Sequence, residues 1–368
     1  MEVNSLRRLF FFPEIPGNDS GYRIAVKYDF RSFSFTPDDV LVFWTTDTLK
    51  PLPELELLKN KGVVIILIKR RQKTIDRITE LMHLNHPAFF SSRDKMDHQY
   101  VQSGYDFVYC GDAGFYTFVK KNLRYKTLEV RFHNLWYKIL IRKQIHHFKS
   151  GLKYFLNILY NVRFEKQIFR DNLAFKTFIT RSDELFYKSV SGKNDCRVYP
   201  ELNGETERIT PDNPIPHTSI LNNGSFNFIW FGTVSTHVKD GITWFIKKVY
   251  SALLSNGYPV TFNLYGEGTL KFSDQARKIY GHGRLNGNNI PDSGKGLFIN
   301  PDLSGGGLKL KIGYFLERNL RFISTPFGMD GYETYVVCEN VIVASPMEWL
   351  AKITDLIIDG QNNRGSCN

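Results

Sequence analysis

The chain has 368 residues, enough for two hydrophobic cores, and 42% of them are hydrophobic against 23% charged, the balance of a folded globular protein. That excludes whole-chain disorder and collagen-like architecture, and no apolar run approaches the roughly 18 residues a membrane-spanning helix needs. The net charge of +11 is concentrated: between Lys120 and Lys176 fourteen Lys and Arg stand against three acids, a surplus equal to that of the whole chain.

In chain order, Arg8 to Phe12 reads as the first strand, and its apolar run before Pro13 is too short for a secretory leader, so a cytoplasmic location is expected. Asp39 to Trp44, Val63 to Ile68, Asp106 to Cys110 and Thr127 to Phe132 follow as strands, with helices at Pro53 to Lys59 and Lys73 to Leu84. Such alternation implies parallel βαβ units. The four cysteines (Cys110, Cys196, Cys338, Cys367) are too widely and irregularly spaced for a zinc framework or a disulfide scaffold.

The basic stretch from Lys120 to Lys176 also carries eleven aromatic residues, among them Phe132, Trp136, Phe155 and Phe164. Interleaved cations and aromatics suit the anionic face of a bilayer or a nucleic acid. They equally suit amphipathic helices whose aromatics face a core and whose lysines face water.

Ser191 to Asn227, rich in Asn, Gly, Ser, Thr and Pro, reads as a break between domains. After it the alternation restarts: strands at Phe226 to Phe231, Pro259 to Tyr265, Leu297 to Asn300 and Arg321 to Thr325, and helices at Asp240 to Leu254, Leu308 to Arg318 and Pro346 to Ile358, the last with Ser345 as N-cap. The reading is α/β, two Rossmann-like doubly wound domains facing each other across a cleft, with ligands at the carboxyl ends of the strands.

Gly305, Gly306 and Gly307 lie between a strand and a helix. Glycines there let the backbone approach a ligand, and the unpaired N–H groups of the helix start, with Lys309 and Lys311 close by, suit a diphosphate. The turn stands in an ordered series: Phe231-Gly232-Thr233 after one strand, Tyr265-Gly266-Glu267-Gly268 after the next, the turn Gly281 to Leu285 containing Arg284, Asn300-Pro301, Gly305 to Ile312, and Thr325-Pro326-Phe327-Gly328-Met329-Asp330-Gly331. From Phe226 to Ile358 this order resembles the nucleotide-sugar half of GT-B fold glycosyltransferases, particularly the family 4-like (group 1) enzymes of bacterial polysaccharide biosynthesis.

The resemblance implies an acceptor-binding domain over residues 1–205, a linker over 206–225, a donor-binding domain over 226–360 and a flexible tail over 361–368. It implies donor contacts at Gly232, Thr233, Gly266, Arg284, Gly305, Gly306, Gly307, Lys309 and Tyr314, and acceptor contacts at Gly21, Tyr22, Arg23 and Asn134. His133, in Glu129-Val130-Arg131-Phe132-His133-Asn134, matches a histidine that approaches the transferred sugar. Two departures stand out: the glutamates that would hold the ribose are replaced by Gly306 and Tyr314, and the arginine usual after the first strand of this half is absent.

The activity so implied is hexosyl transfer from a UDP- or GDP-sugar to a glycan or lipid-linked acceptor in surface polysaccharide synthesis. It would be retaining, with His133 and Lys309 serving catalysis, and would need no cofactor. No clustered carboxylates or Asp-x-Asp pair suggest a metal site. An inverting reaction would need a base, for which Asp19 is the candidate. The competing readings are a non-catalytic sugar-nucleotide binder and a nucleic-acid binder, the second disfavoured by the phosphate-type motifs. The implied setting is the cytoplasmic membrane, with the protein peripheral on its inner, anionic face.

Overall fold

The computed structural model describes residues 6–16, 21–45, 53–69, 100, 103–133, 135, 152–198, 221–222, 225–234, 236–284, 296–303 and 309–365. The chain forms two compact units, Met1–Glu201 and Leu202–Asn368.

In the first unit β1 (Arg8–Phe12), β2 (Val40–Thr45), β3 (Val64–Lys69), β4 (Gly104–Cys110), β5 (Arg124–Phe132), β6 (Ala174–Phe178) and β7 (Cys196–Val198) build one sheet in the order β3-β2-β1-β4-β5-β6-β7. All neighbours are parallel, with Leu9 beside Val40 on one side and Val108 on the other. Helices α1 (Gly21–Ser32), α2 (Pro53–Asn60), α3 (Tyr116–Asn122), α4 (Leu152–Arg170) and α5 (Arg181–Ser191) connect them. The run Leu9-Phe10-Phe11-Phe12 is apolar throughout because both faces of the central strand are covered. Phe10 and Phe12 pack with Val26 and Phe30 of α1, whereas Leu9 and Phe11 pack with Phe115, Val130 and Phe132. Helix α5 opens on Thr180, whose hydroxyl accepts from the Asp183 N–H at 3.1 Å, and closes on left-handed Gly192.

The second unit repeats the plan. Here β8 (Leu221–Asn222) is a short antiparallel neighbour of β9 (Ser225–Phe231). The parallel strands β9, β10 (Val260–Tyr265), β11 (Ile279–Gly281), β12 (Leu297–Asn300), β13 (Phe322–Ser324) and β14 (Val341–Val343) run in the order β11-β10-β9-β12-β13-β14. Helix α6 (Thr236–Trp244) passes through a π turn at Phe245–Tyr250 into α7 (Ser251–Ser255). The Ile246 carbonyl within the π turn accepts from the Ser251 hydroxyl at 2.6 Å. Helix α8 (Leu310–Glu317) follows β12, and α9 (Trp349–Gly365) is the last element among the described residues, running into the stretch read as a tail. Before α9, Glu348 accepts from the Ser345 N–H at 2.8 Å, so Ser345 belongs to a capping turn rather than standing next to the first helical residue.

Both sheets are doubly wound, as the alternation predicts. Their strand order reverses beside β1 and β4 in the first and beside β9 and β12 in the second, the points at which such sheets open a crevice at their carboxyl ends. The structure corrects the sequence reading in two respects and adds strands to it. Residues Gly21 to Arg23, expected to contact an acceptor, form the first turn of α1; β7 and β8 lie inside the stretch read as a break; and β6, β11 and β14 are additional strands. The helix expected over Lys73 to Leu84 lies outside the described residues.

Candidate functional site

In the second unit, the loops after β9, β10 and β11 are laced together at the carboxyl rim of the sheet. The Gly232 N–H donates to the Tyr265 carbonyl at 3.0 Å, the Gly266 N–H to Gly283 at 2.7 Å, and the Val234 N–H to Glu267 at 3.0 Å. Buried Thr269 closes the lattice, its hydroxyl donating to the Gly266 carbonyl at 2.8 Å and accepting from the Gly283 N–H at 3.0 Å. Gly232 and Gly266 have φ of +136° and +119°, and a side chain on Gly266 would occupy the space of the Gly232 backbone. Two expected donor residues are thus glycine for a definite reason: two strand ends meet there at backbone distance. Thr233 is exposed beside Gly232, and Arg284 follows Gly283 with its side chain exposed.

The ends of β12 and β13 are locked by a second network. Asn300 donates from Nδ2 to Ser324 Oγ at 3.1 Å and to the Gly328 carbonyl at 3.2 Å, and the Gly328 N–H donates to Thr325 Oγ1 at 2.9 Å. A Cβ on Gly328 would collide with Asn300 and Ser324, which accounts for the glycine three residues after Thr325. Lys309 stands immediately before α8, its ammonium 4.9 Å from the centre of the Phe327 ring. That contact ties the start of α8 to the Thr325–Gly328 turn. Gly305, Gly306 and Gly307 lie outside the described residues.

Tyr314 packs its ring edge against Phe231 at 5.1 Å between centres, and the Arg318 guanidinium lies 3.9 Å from the ring centre. It joins α8 to the strand that leads into Gly232.

In the first unit, His133 follows β5 and is buried. Its Nε2 is 2.7 Å from the Gly111 carbonyl oxygen, an acceptor, so the hydrogen bond assigns the proton to Nε2. Burial and the Arg131 cation lower its pKa to about 3, against a small upward effect of the Gly111 bond. Arg131, two residues earlier on the same face of β5, is ion-paired with buried Asp29 of α1. Gly111 approaches the end of β1, its N–H donating to the Phe11 carbonyl at 2.8 Å. Gly111, Arg131 and Asp29 were missed by sequence reasoning; the glycine directly after a strand was the available signal. Gly21, Tyr22 and Arg23 open α1, whereas Asp19 and Asn134 lie outside the described residues. Among the described residues no three His, Cys, Asp or Glu side chains gather as metal ligands.

No protein-family model matches the chain, and no curated protein does. Solved structures do. WaaG, a glycosyltransferase involved in lipopolysaccharide biosynthesis, matches at 13% identity over 95% of this chain and 90% of its own, with a TM-score of 0.54. HepE of Anabaena, in complex with UDP and glucose, matches at 11% identity over 97% and 91%, with a TM-score of 0.50. TarM matches at 9% identity over 98% and 93%, with a TM-score of 0.54. The fold is GT-B. At these identities the likeness is one of fold, and it covers both units. Within the GT-B plan, the rim built by Gly232, Gly266, Gly283 and Lys309 belongs to the second unit and His133 to the first.

Proposed function

We propose that this protein is a glycosyltransferase, a hexosyltransferase that takes a UDP- or GDP-sugar and passes the sugar to a glycan or lipid-linked acceptor in bacterial surface polysaccharide synthesis. The observation that carries this reading is the rim of the second sheet, where glycine backbones meet and a lysine is fixed at the start of a helix. Breaking an anomeric carbon to phosphate bond leaves charge on the departing diphosphate. Backbone N–H groups at the start of α8, together with Lys309, suit that charge. The solved structures similar to this chain include one bound to UDP and glucose and one glycosyltransferase of lipopolysaccharide biosynthesis, which supports the choice of donor and of acceptor class.

His133 is assigned to the transferred sugar. A neutral imidazole with its proton fixed on Nε2 is a positioning and hydrogen-bonding group rather than an acid, which suits a retaining transfer in which the leaving phosphate assists the incoming hydroxyl. Gly232, Thr233, Gly266, Arg284, Gly305 to Gly307 and Tyr314 are assigned to the donor, and Gly21 to Arg23 and Asn134 to the acceptor. The protein would work in the cytoplasm, on the anionic inner face of the membrane.

The test is a thermal-shift screen with UDP, GDP, ADP and CMP, followed by detection of the released nucleotide when the matching sugar donor and an acceptor are supplied. A ligand at a hundred times its Kd stabilises by about 2.7 kcal/mol, a shift of roughly 5–10 °C for a unit of this size. If none of the four nucleotides moves the transition at millimolar concentration, the donor assignment is wrong.

A further inference from the structure

Along one face of β5 and just past its end, Glu129, Arg131 and His133 alternate, all three buried, and the row finishes at the carboxyl rim of the first sheet. β5 lies between β4 and β6, so this is a charged row inside a parallel sheet whose neighbouring strands are largely apolar. Each charge has its own partner. Glu129 accepts from Arg197 at 2.8 and 3.1 Å and from the Thr177 hydroxyl at 2.6 Å. Arg131 pairs with Asp29, the buried charge of α1. The charged groups that follow the neighbouring strands are engaged as well: Glu14 accepts from the Ile15 N–H at 3.0 Å, Asp112 from the Gly114 N–H at 2.7 Å, and Arg181 pairs with Glu184. Among the described residues, Arg131 is the charge that acts on the His133 ring.

Packing does not account for the Arg131–Asp29 pair. Helix α1 is already seated through Val26 and Phe30, which pack with Phe10, Phe12 and Phe43. Taking a guanidinium and a carboxylate out of water into that interface is costly, and apolar residues of similar volume often serve stability as well or better. What apolar residues cannot supply is a fixed order of charge, with the cation on the strand that carries the histidine and the anion on the helix.

We propose that Arg131 and Asp29 are positioning residues for His133: the pair ties α1 to β5 below the imidazole and keeps the cation, not the carboxylate, next to the ring, so that His133 serves the site as an uncharged hydrogen-bonding group. The proposal rests on the assignment of His133 to the transferred sugar. A neutral ring suits a sugar carbon that gains positive charge as its bond to phosphate breaks, whereas an imidazolium would repel it.

The test follows the His133 ring by NMR in the full chain, isotope-labelled on its histidines, with the resonance assigned by its loss in His133→Gln. In the wild type the ring is expected to stay neutral between about pH 4.5 and 8, and a wild-type midpoint inside that window overturns the proposal. The two members of the pair should then act in opposite senses. Arg131→Gln leaves the Asp29 carboxylate near the ring and should raise the midpoint into the window, by about 1.5 pH units or more. Asp29→Asn leaves the cation and should keep the ring neutral throughout. A pair that only holds α1 in place would give both variants the same titration, and that result overturns the proposal. If either variant fails to fold, the exchanged pair Arg131→Asp with Asp29→Arg decides, because it keeps opposite charges in contact but puts the carboxylate beside the ring: a midpoint inside the window supports the proposal, and a ring that stays neutral overturns it. Sugar transfer, measured in parallel, should fall on the acid side in Arg131→Gln and not in Asp29→Asn. Opposite titrations in a protein that transfers no sugar would uphold the positioning pair while removing the sugar-transfer reading.

Discussion

Gly266 and Gly232 meet so closely that a single methyl group cannot be placed between them: the Cβ that Gly266 lacks would fall against the Gly232 carbonyl and amide. Gly266 also has a φ of +119°, which an alanine adopts only with strain. Gly266→Ala is therefore expected to destabilise the second unit by at least about 2 kcal/mol, roughly 4–8 °C in Tm for a unit of this size. Gly257→Ala serves as the comparison, because its φ is +77° but nothing lies within reach of an added Cβ. Equal losses for the two variants would assign the cost to backbone strain alone and remove the close approach from the argument.

Lys309 is held by Phe327 at the start of α8, and under the proposed reaction it balances charge that grows on the departing phosphate. Lys309→Ala should lower kcat/KM by one to three orders of magnitude, about 1.4–4 kcal/mol of transition-state stabilisation. The loss should fall on kcat more than on KM. A variant with wild-type kinetics would exclude the role.

The long apolar runs made the sheets legible in advance. Arg8–Phe12 and Leu297–Asn300 have the bounds their sequences suggest, because central strands covered on both faces leave unbroken hydrophobic stretches. Short edge elements left no such trace, and neither did β6, whose run Ala174-Phe175-Lys176-Thr177-Phe178 is broken by a buried lysine and threonine. Ile279–Gly281 is a strand only by virtue of its register with Phe262 to Leu264, and no three-residue pattern encodes that pairing. The glycines of the rim were visible as residues, but their reason, the meeting of Gly232 with Gly266 and of Gly328 with Asn300, is a tertiary fact. The same limit applies to His133. Its position after a strand was readable, but its bond to Gly111 and the Arg131–Asp29 pair beside it join segments far apart in the chain.

His133 links stability to pH. Its folded pKa is about 3, below the ordinary value of 6.5, so between those limits the unfolded chain binds a proton that the folded chain refuses. Its contribution is present in full above about pH 6.5 and is lost as the pH falls toward 3, with a slope approaching 1.4 kcal/mol per pH unit. Urea unfolding at pH 7 and pH 5 should show the wild type losing about 2 kcal/mol more than His133→Gln, which retains a donor for the Gly111 carbonyl. Parallel pH dependence in the two proteins would mean that His133 protonates in the folded state near its ordinary value.

Transfer activity is expected to persist in EDTA, since the sequence offers no Asp-x-Asp pair and the proposed charge stabilisation comes from helix N–H groups and lysines. Loss of activity on chelation, with recovery on adding manganese or magnesium, would transfer that role to a metal.

The basic stretch from Lys120 to Lys176 divides once its side chains are placed. Arg131 and Lys176 are buried in ion pairs with Asp29 and Asp195, so they offer nothing to a partner. Phe132, Phe164 and Phe169 are core residues, whereas Arg163, Lys166 and Arg170 stand exposed along α4. In that half of the helix the aromatics face the core and the cations face water, so any contact made there with a bilayer is electrostatic and not an insertion of rings. Each exposed Lys or Arg near an anionic surface contributes about 1 kcal/mol, decaying within a Debye length of roughly 8–10 Å. Co-sedimentation with vesicles should therefore require anionic lipid and fall steeply with added salt. Changing Arg163, Lys166 and Arg170 to Glu should weaken it, and so should changing Arg142, Lys143, Lys149 and Lys153, of which the first three lie outside the described residues. Both sets belong to the same cationic stretch, so an additive loss indicates one continuous electrostatic face, and a loss from only one set locates it. Equal sedimentation with neutral and anionic vesicles, or none with either, would leave these cations as ordinary solvated residues and favour an acceptor free in solution.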